Sequence, residues 1–128
     1  MKNSSFVFDS SAIIALIQKE EGADIVAKHI RGAIISSVNY SEIVAVLSRK
    51  MQKDIITAIL TKLIPEIIPF DETQATEAGM LYQKTKHAGL SLGDRACITL
   101  AQFRKIPILT ADKAWLNLNL AVEIKTIR

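Results

Sequence analysis

Short, apolar, β-favouring runs recur along this chain, and each is parted from the next by one or two segments of helix length. The runs are Phe6-Val7-Phe8, Ala33-Ile34-Ile35-Ser36, Ile67-Ile68-Pro69-Phe70, Ile108-Leu109-Thr110 and the stretch from Val122 to Ile127. No tight hairpin can join runs so far apart, so they must pair in parallel through right-handed crossovers. Between them, hydrophobic periodicity and breakers predict helices over Ser11 to Gln18, Gly22 to Ile30, Asn39 to Met51, Asp54 to Ile64, Asp71 to Lys86 and Ser91 to Arg104, with a short helical turn from Asp112 to Leu116. Gly32 closes the second helix, Pro65 stops the fourth and Gly89 follows the fifth. Pro69 restricts its strand to a sheet edge, because proline donates no ladder hydrogen bond. The expected fold is therefore α/β in three layers, α/β/α, around a central parallel sheet of about five strands.

Nothing divides the 128 residues: there is no linker, repeat or low-complexity stretch, so residues 1–128 read as one domain. A composition of 49% hydrophobic and 23% charged residues excludes wholesale disorder. No apolar run approaches the ~20 residues that span a bilayer. The first apolar stretch, Phe6 to Ile17, is broken by Asp9 and two serines, which argues against a secretory signal. The single cysteine, Cys97, has no internal disulfide partner, and a cytoplasmic location fits that. A net charge of +3 permits a nucleic-acid partner without requiring one.

In sheets of this kind ligands sit beyond the carboxyl ends of the strands, where strand order reverses. Asp9 directly follows the first strand and Asp112 lies just past the fourth. Asp94 heads a helix stripe shared with Cys97, Ile98 and Ala101, and Glu42 heads one shared with Ala45 and Val46. Taken singly, each acid has an ordinary reading. Asp9 and Asp112 suit N-caps, while Asn39-x-x-Glu42 and Ser91-x-x-Asp94 look like capping boxes. Asp71-x-x-Gln74 has the same look and is taken as capping alone. If the first and fourth strands are neighbours, however, Asp9, Glu42, Asp94 and Asp112 can converge, while Asp71 falls toward the sheet edge. Two carboxylates about 4 Å apart repel by roughly 4 kcal/mol at an effective dielectric of 20. A cluster of them raises pKa values or recruits cations. Hard oxygen donors select Mg²⁺ or Mn²⁺, and the only histidines, His29 and His87, lack zinc-ligand spacing.

Four stretches resemble the motifs of PIN-domain nucleases, most closely the VapC-type ribonuclease toxins of bacterial toxin–antitoxin pairs. They are Phe8-Asp9-Ser10-Ser11-Ala12, Ser37-Val38-Asn39-Tyr40-Ser41-Glu42, Leu90-Ser91-Leu92-Gly93-Asp94-Arg95-Ala96 and Leu109-Thr110-Ala111-Asp112. They occur in the family's order and span most of the chain. The resemblance implies a strand order of 3-2-1-4-5 and an acidic metal site made of Asp9, Glu42, Asp94 and Asp112. It implies small supporting hydroxyls at Ser11 and Thr110, and Mg²⁺ or Mn²⁺ as cofactor. It further implies an RNA substrate, endoribonuclease activity, a cognate antitoxin that holds the toxin inactive, and a homodimer.

Other residues carry weaker signals. Arg95 and Lys113 each follow a site acid and offer a positive charge to a substrate phosphate, with a solvated side chain as the ordinary alternative. Arg49, Lys50 and Lys53 read as a wet helix face. Tyr40 and Trp115 lie in or beside the motifs, where packing competes with base stacking, and Cys97 reads as a small core residue. Ile55, Ile56, Ile59, Leu60, Leu63 and Ile64 form a stripe broad enough for core or for partner burial. Two other functions compete. A phosphoacceptor signalling domain would use Asp71, Thr110 and Lys125, but it expects paired acids after the first strand, where Asp9 is followed by Ser10 and Ser11. A catalytically silent binding module would keep the acids only as caps.

Overall fold

The structure, a computed structural model, describes residues 5–128. Five strands form one parallel sheet in the order β3-β2-β1-β4-β5: β1 (Phe6–Phe8), β2 (Ala33–Ser36), β3 (Glu66–Ile68), β4 (Ile108–Thr110) and β5 (Ile124–Thr126). Six helices connect them: α1 (Ser10–Gln18), α2 (Ala23–His29), α3 (Ser37–Leu47), α4 (Lys53–Leu63), α5 (Glu72–Thr85) and α6 (Leu92–Arg104). This is the expected three-layer α/β/α class, with the strand order that the resemblance implied.

Burial follows position in the sheet. Every residue of β1, β2 and β4 is buried, whereas the edge strands β3 and β5 keep exposed positions. A central strand in a parallel sheet is covered on both faces, so it is apolar throughout rather than alternating. Its side chains still alternate between layers. Phe6, Phe8 and Ile35 join a core with Ala12, Ile13, Ile43, Ile56 and Leu60, which places α1, α3 and α4 on that face. Val7 and Ile34 point the other way, into a core with Leu81, Cys97, Ile98, Leu100 and Trp115 under α5 and α6. Among the described residues no helix is long and apolar enough to cross a membrane.

Three local features differ from expectation or explain it. Edge strand β3 stops at Ile68, before Pro69 would interrupt the ladder. Helix α3 begins at Ser37 rather than Asn39, because the Ser36 hydroxyl accepts from the Val38 amide at 3.2 Å and caps it two residues early. Gly22 opens α2 at φ 96°, a left-handed conformation that suits glycine, and a Cβ there would strike Ile127.

The pairing that matters for function is β1 with β4, in register Val7 to Ile108 and Phe8 to Leu109. The chain crosses to β2 on one side of β1, while β4 lies on the other. The carboxyl ends of β1 and β4 therefore frame the reversal of strand order. Helix α3 starts directly from the end of β2, so its first turn is at the same edge. Helix α6 runs back toward the start of β4, so its first turn is there as well.

Candidate active site

Asp9 is the one deeply buried carboxylate of the group, 4% exposed. It occupies the N-cap position of α1 in an extended conformation, yet its side chain does not cap the helix. Instead its Oδ2 accepts hydrogen bonds from Ser11 Oγ at 2.6 Å and Thr110 Oγ1 at 3.0 Å. Each hydroxyl also accepts a backbone amide of the loop after β4: Ser11 Oγ from Ala111 N at 3.0 Å, and Thr110 Oγ1 from Asp112 N at 3.1 Å. Two small hydroxyls thus tie the end of β1 to the loop that carries Asp112. That is the structural position of the two residues proposed as supports.

Asp112 is exposed, and its Oδ1 accepts from Ala114 N at 3.0 Å, capping the short turn Lys113–Asn117. Asp94 forms a complete capping box on α6: its Oδ2 accepts from Ser91 N at 2.9 Å while its amide donates to Ser91 Oγ at 3.1 Å. For these two acids the capping reading holds, and it coexists with a place at the carboxyl edge. For Glu42 it does not hold. Asn39 and Glu42 both lie inside α3, and Glu42 Oε1 accepts from Asn39 Nδ2 and from Ser10 Oγ, each at 3.0 Å. Asn39 is fully buried and is a side-chain partner rather than a cap. From sequence Asn39 reads as a cap, and Ser10 and Gly93 carry no role beyond lying in the motifs. The available signal was spacing: Asn39 stands one helical turn before Glu42, and Gly93 immediately precedes Asp94.

Asp9 and Asp94 feel the acids around them. Burial, offset in part by the Ser11 and Thr110 hydroxyls, and the charges of Asp94 and Glu42 push the Asp9 carboxyl up to about 6. Burial raises Asp94 too; Ser91 pulls it back, and Glu42 and Asp112 add to the rise. Beneath the site, burial and then the charges of Asp9, Asp94 and Glu42 drive the Cys97 thiol well above its usual range. Among the described residues, the ion pairs are Arg104–Glu66 at 3.8 Å and Arg128–Glu20 at 3.6 Å, and neither involves the site. Also among the described residues, no three His, Cys, Asp or Glu side chains stand close enough to make a ready metal cage. The carboxylates gather at one edge, each held by its own hydroxyl or amide donors. The donor set fits a hard divalent cation: it is oxygen only, with excess negative charge and, among the described residues, no side-chain cation paired to it. His29 stacks edge-on against Phe6 at the amino end of β1, away from the acids.

The remaining residues separate clearly. Arg95 turns to the neighbouring helix, where Nη1 donates to Ala78 O at 2.9 Å and the guanidinium lies 5.5 Å from the Tyr82 ring centre. Lys113 is exposed beside Asp112, as are Arg49, Lys50 and Lys53 at the α3–α4 junction. Trp115 and Cys97 are buried in the α5–α6 core, and Tyr40 packs on the opposite one. On α4, Ile56 and Leu60 are core residues, while Ile55 is 54% exposed. Asp71 caps α5, accepting from Gln74 N at 2.9 Å after edge strand β3, whereas Lys125 lies in the opposite edge strand β5. Three strands at about 4.8 Å spacing intervene, so the phosphoacceptor trio is not assembled. Asp71→Asn is expected to cost at most ~1 kcal/mol of stability as a weakened cap, which thermal unfolding checks.

A family model described as the PIN domain matches residues 6–119. No curated protein sequence matches the chain. Among solved structures, DNA-bound VapBC from Salmonella typhimurium superposes with a TM-score of 0.73 at 14% identity, covering 98% of this chain and 99% of that one. A toxin–antitoxin complex from Klebsiella pneumoniae gives 0.74 at 19% identity, covering 97% and 98%. FitAcB from Neisseria gonorrhoeae gives 0.70 at 15% identity, covering 95% and 97%. At these identities the likeness is one of fold, and it extends over nearly the whole of each chain. With the family model covering all but the two ends of the sequence, and with all four motif acids brought to one edge of a 3-2-1-4-5 parallel sheet, the chain belongs to the PIN-domain family.

Proposed function

We propose that this chain is a Mg²⁺- or Mn²⁺-dependent endoribonuclease, the toxin of a VapBC-type pair, acting in the cytoplasm as a homodimer and silenced by a cognate antitoxin. The observation that carries the reading is Asp9: a carboxylate 4% exposed, raised to about 6, beside other acids and, among the described residues, without a side-chain cation. A folded protein keeps such a group when a bound cation compensates it in the working state. Asp9 and Asp94 would be direct ligands. Asp112 would bind directly or through water, and Glu42 would bind or orient the attacking water. The cation would supply a lowered water pKa and neutralise charge on the phosphoryl oxygens. Ser11 and Thr110 hold the Asp9 carboxylate in one orientation and keep the Asp112 loop against it. Lys113 is the better placed of the two basic residues to meet a phosphate, since Arg95 is engaged with α5. The antitoxin partner is supported by fold neighbours that are themselves toxin–antitoxin complexes.

With water as nucleophile and the 3′ oxygen as leaving group, the ribose 2′-hydroxyl takes no part, and products should carry 5′-phosphate and 3′-hydroxyl ends. Incubating the purified chain with single-stranded RNA and Mn²⁺, then sequencing the ends, is expected to show those termini, with cleavage lost on adding EDTA. Cyclic-phosphate ends, or cleavage indifferent to the chelator, would overturn the reading.

A further inference from the structure

We propose that Asn39, seated against Gly93, is the positioning residue for Glu42, locking that carboxylate to the first turn of α6 so that Glu42 and Asp94 are presented as one unit. The proposal deepens the nuclease reading and rests on it. Asn39 is fully buried, and its amide nitrogen spends one hydrogen within α3 and the other across the α3–α6 interface. One goes to Glu42 Oε1 at 3.0 Å and the other to the carbonyl of Gly93, 54 residues away, also at 3.0 Å. The reversed amide would set Oδ1 against two acceptors, so these partners dictate the orientation.

Two further observations say that the arrangement serves the site. Among the described residues Asn39 Oδ1 is buried with no hydrogen-bond partner, which costs stability. An apolar residue of similar volume would remove that cost, so packing alone gives no reason for asparagine here. Gly93 supplies the other half of the seat: a Cβ at this position would fall on the Glu42 carboxylate. The glutamate head therefore lies over bare α6 backbone, directly before Asp94, with Ser10 and Asn39 donating to its Oε1. A glutamate on α3 alone has three free torsions. The asparagine and the glycine replace that freedom with one place.

A double-mutant cycle tests this. Asn39→Leu, Glu42→Ala and the double variant are compared with wild type by Mn²⁺ calorimetry, cleavage of single-stranded RNA and thermal midpoint. Asn39→Leu is expected to weaken Mn²⁺ binding and slow cleavage by about 10- to 100-fold, as loss of a ligand-orienting partner does, with the midpoint held or raised. In the Glu42→Ala background the same change is expected to have no effect on either. An equal loss in both backgrounds, or no loss in wild type, would overturn the proposal. If Asn39→Leu does not fold, Asn39→Ser takes its place in the cycle and is judged by the same coupling. Wild type that binds Mn²⁺ yet cuts no RNA removes the nuclease reading and leaves the calorimetric cycle to decide positioning; wild type that binds no Mn²⁺ overturns both.

Discussion

Asp9→Asn should abolish RNA cleavage, by at least ~100-fold given what loss of even a ligand's partner costs, and should make the metal-free protein more stable at neutral pH. The two effects have one cause. Asparagine keeps the shape and still accepts from Ser11 and Thr110, but it removes the charge that a divalent cation needs. It also removes the charge that the apo fold buries at a cost. The Asp9 carboxyl is pushed up to about 6 in the folded chain from its ordinary 3.8. At 1.36 kcal/mol per pKa unit this is about 3 kcal/mol. The sign follows from proton linkage. Between these two values the folded state holds the proton more tightly than the unfolded state, so stability falls as pH rises. The penalty is absent below 3.8, grows through the interval and is complete above about 6. Thermal unfolding in EDTA should therefore show the asparagine variant ahead of wild type at pH 7.5, by on the order of 10 °C for a domain of this size. The gap should close by pH 4. Adding Mn²⁺ at pH 7.5 should raise the wild-type midpoint and leave the variant's unchanged. A variant that still cleaves at the wild-type rate, or one less stable at every pH, would refute this account.

Gly93→Ala is expected to cost about 100-fold in cleavage, the scale of a displacement near 1 Å at a reacting centre, while leaving the fold intact. An added methyl meets the Glu42 carboxylate, the far end of a flexible side chain, so the glutamate must swing off its seat rather than the backbone break. Gly93 does not have the left-handed backbone that demands glycine, since among glycines only Gly22 and Gly89 have positive φ. Alanine in a first helical turn would ordinarily stabilise by ~0.4–1 kcal/mol through the unfolded chain. Stability within ~1 kcal/mol of wild type, with Mn²⁺ affinity and cleavage both reduced, is the expected pattern. Unchanged cleavage would mean that the position of Glu42 is irrelevant to the chemistry.

Much of this was legible in the residues. Pro69 marks β3 as an edge, because proline donates no ladder hydrogen bond, whereas the central places of β1, β2 and β4 followed only from the strand order that the resemblance implied. Asp9 and Asp112 could be placed at the carboxyl edge from the strand ends alone. Helix starts were less secure where several cap-forming residues follow one another. Ser36, Ser37 and Asn39 all suit an N-cap, and the choice fell to Ser36 as the last residue of β2, paired with Ile68 of β3. That single shift of two residues moved Asn39 from a helix end into the α3–α6 interface.

By itself, then, the order of residues determined the layers, the strand and helix segments and the places of Asp9 and Asp112 at strand ends, because periodicity, breakers and chain connectivity are local properties; the strand order entered only through the family resemblance. It did not determine what each acid does there. Capping and a place at the carboxyl edge are compatible for Asp94 and Asp112, while Asp9 gave up its helix for hydroxyls at Ser11 and Thr110, the latter 101 residues away. Asn39, Gly93 and Ser10 acquired their roles only when α1, α3 and α6 met. Hydrogen-bond partners across such distances are selected by packing, and packing exists only once the whole chain has folded.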